Sequence, residues 1–143
     1  MDVHVMTAVV GVALALGVGA AATVTGMDRD RALYPATLVM IAGLYVLFGA
    51  IDGRPVVIAV EVAGMIPFVA AALFGFRRSL WIVAAALLGH GVYDLLHPHL
   101  VDDAGVPPWW PAFCLAYDAA AALYLAWRLG GAGLDARLAR RGT

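Results

Sequence analysis

The chain has 143 residues, 64% of them hydrophobic and 13% charged, with a formal net charge of -1. That balance is far more apolar than a soluble globular domain, and it leaves no basic surface for a polyanion, so nucleic acid is not an expected partner. Low-charge runs long enough to cross a bilayer core of about 30 Å recur along it, which marks a polytopic membrane protein.

Taken in chain order, the first span covers about residues 3–25. Its start, MDVHVMTAVV, is acidic rather than basic and has no clear cleavage site, so a retained span is expected rather than a signal peptide. The glycines of GVGAAATVTG read as close helix packing, not as a phosphate loop. After MDRDR, the second span covers about 33–51 and stops at DGRP. The third, about 55–76, opens on Pro55, a favourable first-turn residue, and Pro67 is expected to kink it below Glu61. The fourth covers about 80–97, with Pro98 expected to end it. The loop HLVDDAGVPPWW leads to a fifth span over about 111–129, and GGAGLDARLARRGT reads as a short basic tail. The expected fold is therefore a single all-α transmembrane domain over residues 1–143, a bundle of five helices. The one cysteine, Cys114, excludes an internal disulfide. A homo-oligomer stays open.

Arginine placement sets a direction. Five spans put Arg29, Arg31, Arg77, Arg78, Arg128, Arg137, Arg140 and Arg141 on one side and Arg54 alone on the other. The N-terminus is then outside and the C-terminus cytoplasmic. Trp109 and Trp110 fall at the outer interface, Trp81 and Trp127 at the inner one, as an aromatic belt requires. Nine arginines with no lysine point to a GC-rich bacterial genome, hence to a multi-pass protein of a bacterial plasma membrane.

A rise of about 1.5 Å per residue then assigns depths. Glu61 lies about 9 Å below the outer end of its span, Asp118 about 10 Å and His90 about 10 Å, with Tyr45 at a similar level. Glu61, His90 and Asp118 thus come from three helices into one layer. His4, Asp52, His97, His99, Asp102 and Asp103 lie above it, and the inner half has nothing comparable. In GHGVYDLLHPHL, His90, Asp94 and His97 stand at i, i+4 and i+7, one helical face. A carboxylate or imidazole facing lipid is costly, so that face should turn into the bundle. Cys114 and Asp118 share a face with the small residues Ala121 and Ala122, suited to close packing.

Acids and imidazoles of this kind suit acid–base chemistry on a lipophilic small molecule: isomerisation, cyclisation or hydration. A neutral acid donates to a carbonyl, epoxide or alkene, while His90, oriented by Asp94, accepts a proton. Glu61, His90, Asp94 and Asp118 are the candidate catalytic residues. Tyr45, Tyr93, His97, Trp110, Cys114 and Tyr117 are the candidate substrate contacts. Tyr93 and Tyr117 are offset by about 100° from the acids beside them, and Trp110 doubles as an interfacial anchor. No cofactor is required by this reading. The alternatives are a divalent metal such as zinc or iron held by His90, Asp94, His97, Glu61 and Asp118, and a proton- or cation-coupled small transporter. Against the metal set, His90 and His97 are about 10 Å apart along the axis. Against transport, no inner-half charge continues the path and no repeated halves are evident.

The segment GVPPWWPAFCLAYD, following HGVYDLLHP, resembles small bacterial integral-membrane families without an assigned activity. The resemblance covers mainly the last two spans and implies a membrane bundle only. Helical membrane sterol isomerases also use buried acids in a small bundle; none of their motifs is present, so that likeness stays at fold level.

The orientation is testable by accessibility. In intact cells, an impermeant maleimide should label Asp103→Cys and spare Ser79→Cys; the opposite pattern would invert every depth given above.

Overall fold

The computed structural model describes residues 2–29 and 31–141, with side chains through residue 131. Five helices form, each with a run long and apolar enough to span a membrane: α1 (Val3–Thr25), α2 (Leu33–Asp52), α3 (Pro55–Arg77), α4 (Leu80–Leu100) and α5 (Trp110–Arg141), whose spanning part is Trp110–Gly131. Local chemistry marks their ends. Asp2 accepts a hydrogen bond from the His4 amide at the start of α1, and Ser79 does the same for Trp81 at the start of α4. Gly26 and Gly53 close α1 and α2 with φ of 78° and 84°, a left-handed conformation that glycine adopts without a Cβ penalty.

Two ends differ from the sequence expectation. Pro98 does not stop α4, which continues to Leu100. Proline removes one helical donor, but the last turn is closed regardless by the Val101 amide donating to the His97 carbonyl at 2.9 Å. The segment read as a basic tail continues α5 as helix to Arg141. The side chains of Arg137, Arg140 and Arg141, used in the orientation argument, lie outside the described residues. Pro67 sits inside α3, which stays one continuous helix.

The bundle is assembled by pairs. α1 packs on α5, α5 on α4, α4 on α3 and α3 on α2, with α2 also reaching α4. The surface of the bundle is apolar: Val24, Ile51, Ile66, Leu95, Leu123 and Trp127 are all well over half exposed. In a bilayer such side chains meet lipid tails, so little hydrophobic force drives one helix onto another, and close backbone packing must substitute for it. α1 shows how. Its buried residues are Gly11, Ala15, Gly19 and Ala22, a small-residue stripe at spacings of three and four. Gly11 lies against the Phe113 carbonyl and Gly19 against the Tyr124 ring, both on α5. A Cβ at Gly11 would overlap the Phe113 carbonyl oxygen.

The Gly11→Val variant should therefore lose about 1–3 kcal/mol through overpacking, read as a lower thermal midpoint in detergent. Gly17, on the same helix, has no neighbour within 4 Å of its Cβ position. Gly17→Ala should leave the midpoint unchanged or slightly higher.

Candidate functional site

Five polar side chains in the bundle interior are 0–1% exposed: Glu61, His90, Asp94, His97 and Asp118. α4 supplies three of them because residues four and three apart share a face, and that face is turned towards α2, α3 and α5. Tyr45 comes from α2, Glu61 from α3, and Cys114 and Asp118 from α5, one turn apart.

His90 is the hub. Its Nδ1 stands 2.7 Å from Asp118 Oδ2 and 3.3 Å from Asp94 Oδ2. Two carboxylates at one nitrogen keep the ring proton there, so Nε2 carries the lone pair whenever the ring is neutral. Nε2, Asp94 Oδ2 and Asp118 Oδ1 have no hydrogen-bond partner among the described residues. Tyr45 donates its hydroxyl to Asp94 Oδ1 at 2.6 Å, and the Cys114 thiol lies 3.9 Å from Asp118 Oδ2. The Phe68 ring of α3 meets the His90 ring edge-on, centroids 4.7 Å apart.

A second pair lies beside the first. His97 Nε2 is 2.7 Å from Glu61 Oε1, and the His97 ring stacks on Tyr45 with centroids 4.2 Å apart. Tyr45 thus touches both pairs, by its hydroxyl on one side and its ring face on the other. The depth reading had put Glu61 in one layer with His90 and Asp118; instead Glu61 meets His97. The continuation of α4 through Pro98 explains this. Three more helical residues set His97 about 4.5 Å below the end of α4, inside the bundle rather than on its rim, where its ring reaches Glu61.

Other expected contacts separate. Tyr93 is half-buried beside Tyr45 and His97, with ring centroids at 5.7 and 5.5 Å. Trp110 packs on Phe48 and Phe113, and Tyr117 stacks on Phe113; neither hydrogen-bonds an acid among the described residues. Gly91 leaves no room beside His90: its Cβ position is met by Leu115 and Asp118, so this glycine serves the approach of α5. Sequence reasoning missed Phe68, and nothing in its own pattern distinguishes it from a core aromatic.

Four potential ligand atoms, from His90, Asp94, Cys114 and Asp118, lie within 4.8 Å of one another. Donor atoms on a tetrahedral zinc stand about 3.3–3.8 Å apart, closer together than the widest separation in this set. Its members differ from the expected metal set: Cys114 joins, while Glu61 and His97 form their own pair.

Beyond His97 the helix ends and the α4–α5 loop enclose a cavity of about 380 Å³, bordered by His97, Pro98, Asp102, Asp103 and Val106 among others. Arg54 fixes this loop. Its guanidinium holds Asp52 at 2.7 and 2.8 Å, reaches the Asp102 carboxylate at 3.2 Å and also bonds the Asp102 carbonyl, while Asp52 accepts from the Ala104 amide. The hydrogen bonds to Asp52 and Asp102 hold the Arg54 pKa above its ordinary value. Gly105 passes so close to the Phe48 carbonyl that no Cβ fits.

Removing only the Tyr45 hydroxyl tests how strongly the cluster is bound together. Tyr45→Phe deprives a buried carboxylate oxygen of its donor and should cost about 1–3 kcal/mol of stability. Tyr93→Phe, whose hydroxyl makes no hydrogen bond among the described residues, should leave the unfolding midpoint within about 1 °C of the wild type.

No family model, no curated protein and no solved structure matches this chain.

Proposed function

We propose that the protein is an intramembrane acid–base catalyst acting on a lipophilic small molecule, with His90 as the group that accepts and returns a proton. The observation that carries this reading is the His90 ring: Nδ1 is bracketed by two carboxylates, while the buried Nε2 has no partner among the described residues. A carboxylate on the far nitrogen fixes the tautomer and stabilises the imidazolium formed when Nε2 takes a proton. Asp118, the nearer carboxylate, is the principal orienting group; Asp94 supports it and is itself held by Tyr45. The Glu61–His97 pair supplies a second acid beside the first, between His90 and the cavity at the α4–α5 loop. Isomerisation, proton-initiated cyclisation and hydration all deliver a proton to carbon and need such a pair. Phe68 and Tyr93 provide the aromatic wall that keeps water from a cationic intermediate. The same reading keeps the N-terminus outside and the C-terminus in the cytoplasm of a bacterial plasma membrane. The arginine distribution supports it, and the clamp on Asp52 and Asp102 accounts for the one arginine at the other face.

A second reading is favoured by one observation, the convergence of His90, Asp94, Cys114 and Asp118. Held there, a zinc- or iron-like cation would neutralise the two aspartates and polarise an oxygen of a bound molecule.

The catalytic reading is tested without knowing the substrate. Protein in nanodiscs is incubated with a membrane lipid extract in D2O, and the extract is analysed by mass spectrometry for deuterium on carbon. One lipophilic component should gain deuterium with the wild type and none with His90→Gln. Asp118→Asn and Asp94→Asn should slow the incorporation by about 10²-fold while keeping the thermal midpoint. If no component exchanges, or if His90→Gln exchanges as the wild type does, the catalytic assignment fails. Elemental analysis separates the second reading: a stoichiometric metal lost in Cys114→Ser would select it.

A further inference from the structure

The opposite end of the bundle carries a cavity of about 400 Å³ that the buried cluster does not use. It lies where α1 and α5 end their spanning parts and where α2 and α4 begin, so its mouth is level with the helix ends. Its apolar wall is made by Leu80, Leu125 and Leu129, and its polar groups are Asp28, Tyr34 and Arg128. Tyr34 is 7% exposed, and its hydroxyl has no hydrogen-bond partner among the described residues. Leaving a buried hydroxyl unpaired is costly, and this one borders an open volume.

The charges at the rim are already arranged. Asp28, with a side chain 7% exposed, accepts from Arg128 at 3.1 Å and from the Thr23 hydroxyl at 3.0 Å. Thr23 is in turn 3.0 Å from the Tyr124 hydroxyl. The negative charge is thereby matched within the protein. Arg128 is 41% exposed at its side chain and gives only one of its five N–H groups to Asp28. Among the described residues, the donors left over are the other Arg128 N–H groups and the Tyr34 hydroxyl, and they call for an acceptor-rich, anionic group with an apolar continuation along the leucines.

We propose that this cavity binds the phosphodiester headgroup of a bilayer lipid, with Arg128 and Tyr34 as donors to its phosphate oxygens. Guanidinium suits phosphate because its planar fork matches two oxygens at once. The apolar wall continues towards the lipid-facing surface, where exposed Trp127 stands at the level of headgroups. A free phosphate would satisfy the same donors but would leave the leucine wall uncovered, which favours the lipid. The proposal does not depend on the chemistry assigned to His90.

Native mass spectrometry of the detergent-solubilised protein, titrated with dioleoylphosphatidylglycerol, tests it directly. The wild type should retain one molecule, and dioleoylglycerol, which lacks the phosphate, should not be retained. Tyr34→Phe removes only an unpartnered hydroxyl and should fold normally, yet weaken retention about tenfold. Arg128→Gln should weaken it at least as much. Equal retention by wild type and Tyr34→Phe, or retention of dioleoylglycerol as strong as that of the phospholipid, overturns the proposal. Full displacement of the phospholipid by inorganic phosphate at about 1 mM, the scale of weak binding, assigns the site to free phosphate and also overturns it.

Discussion

Charge neutralisation in a medium that cannot solvate charge is the constraint on which this bundle turns. Glu61, Asp94 and Asp118 are three carboxylates at 0–1% exposure, and only two imidazoles, His90 and His97, stand among them. An unpaired carboxylate at such depth costs several kcal/mol. Even with both rings protonated, one negative charge is left over, so the cluster holds a further proton or takes in a cation. Both functional readings are answers to that surplus. Each partner also comes from a different helix: Tyr45 from α2, Glu61 from α3, Asp118 from α5. Satisfying the face of α4 therefore fixes the neighbours of α4 on three sides.

The remaining contacts follow a different rule. Lipid tails are as apolar as leucine, so the exposed Val, Leu and Ile of every helix are already content outside. What holds α1 is its stripe of small residues against the α5 backbone, and what holds the α4–α5 loop is the Arg54 clamp with Gly105 under Phe48. The interior device is electrostatic, the α1 contact is steric, and the α4–α5 loop combines the two. The division explains why polar groups concentrate at a few heights instead of spreading along the spans.

Much of this was legible in the sequence. Hydropathy and turn residues give five spans, because a bilayer imposes length and polarity on each helix separately. The inward face of His90, Asp94 and His97 follows from helical spacing, and the packing role of the α1 glycines follows from residue size. Pairing between helices was less accessible. A linear rise gives depth but not rotation about the axis, so it places Glu61, His90 and Asp118 in one layer without showing that the partner of Glu61 is His97. Pro98 adds to this: a proline two residues before a helix end removes one donor without ending the helix, and the level of every residue before it shifts. Cys114 was seen as a pocket contact because a thiol alone carries little signal. Its place near His90 and Asp94 depends on the close approach of α5 that Gly91 permits.

The pairing of α1 with α5 joins the first span to the fifth, and this has a consequence for the order of assembly. A membrane chain enters the bilayer span by span, and helices associate only when their partners are present. Thr23 and the Tyr124 hydroxyl it meets are separated by 101 positions, and His90 waits 28 positions for Asp118. Until α5 arrives, the small-residue face of α1 has nothing to lie against and His90 on α4 lacks Asp118, its nearer carboxylate. Loop-closure entropy makes such long-range contacts slow to form. The half-built bundle is therefore the stage at which a chaperone or a quality-control protease in the membrane would meet an uncovered His90 and a bare α1 face, and completion of α5 is the event that covers both.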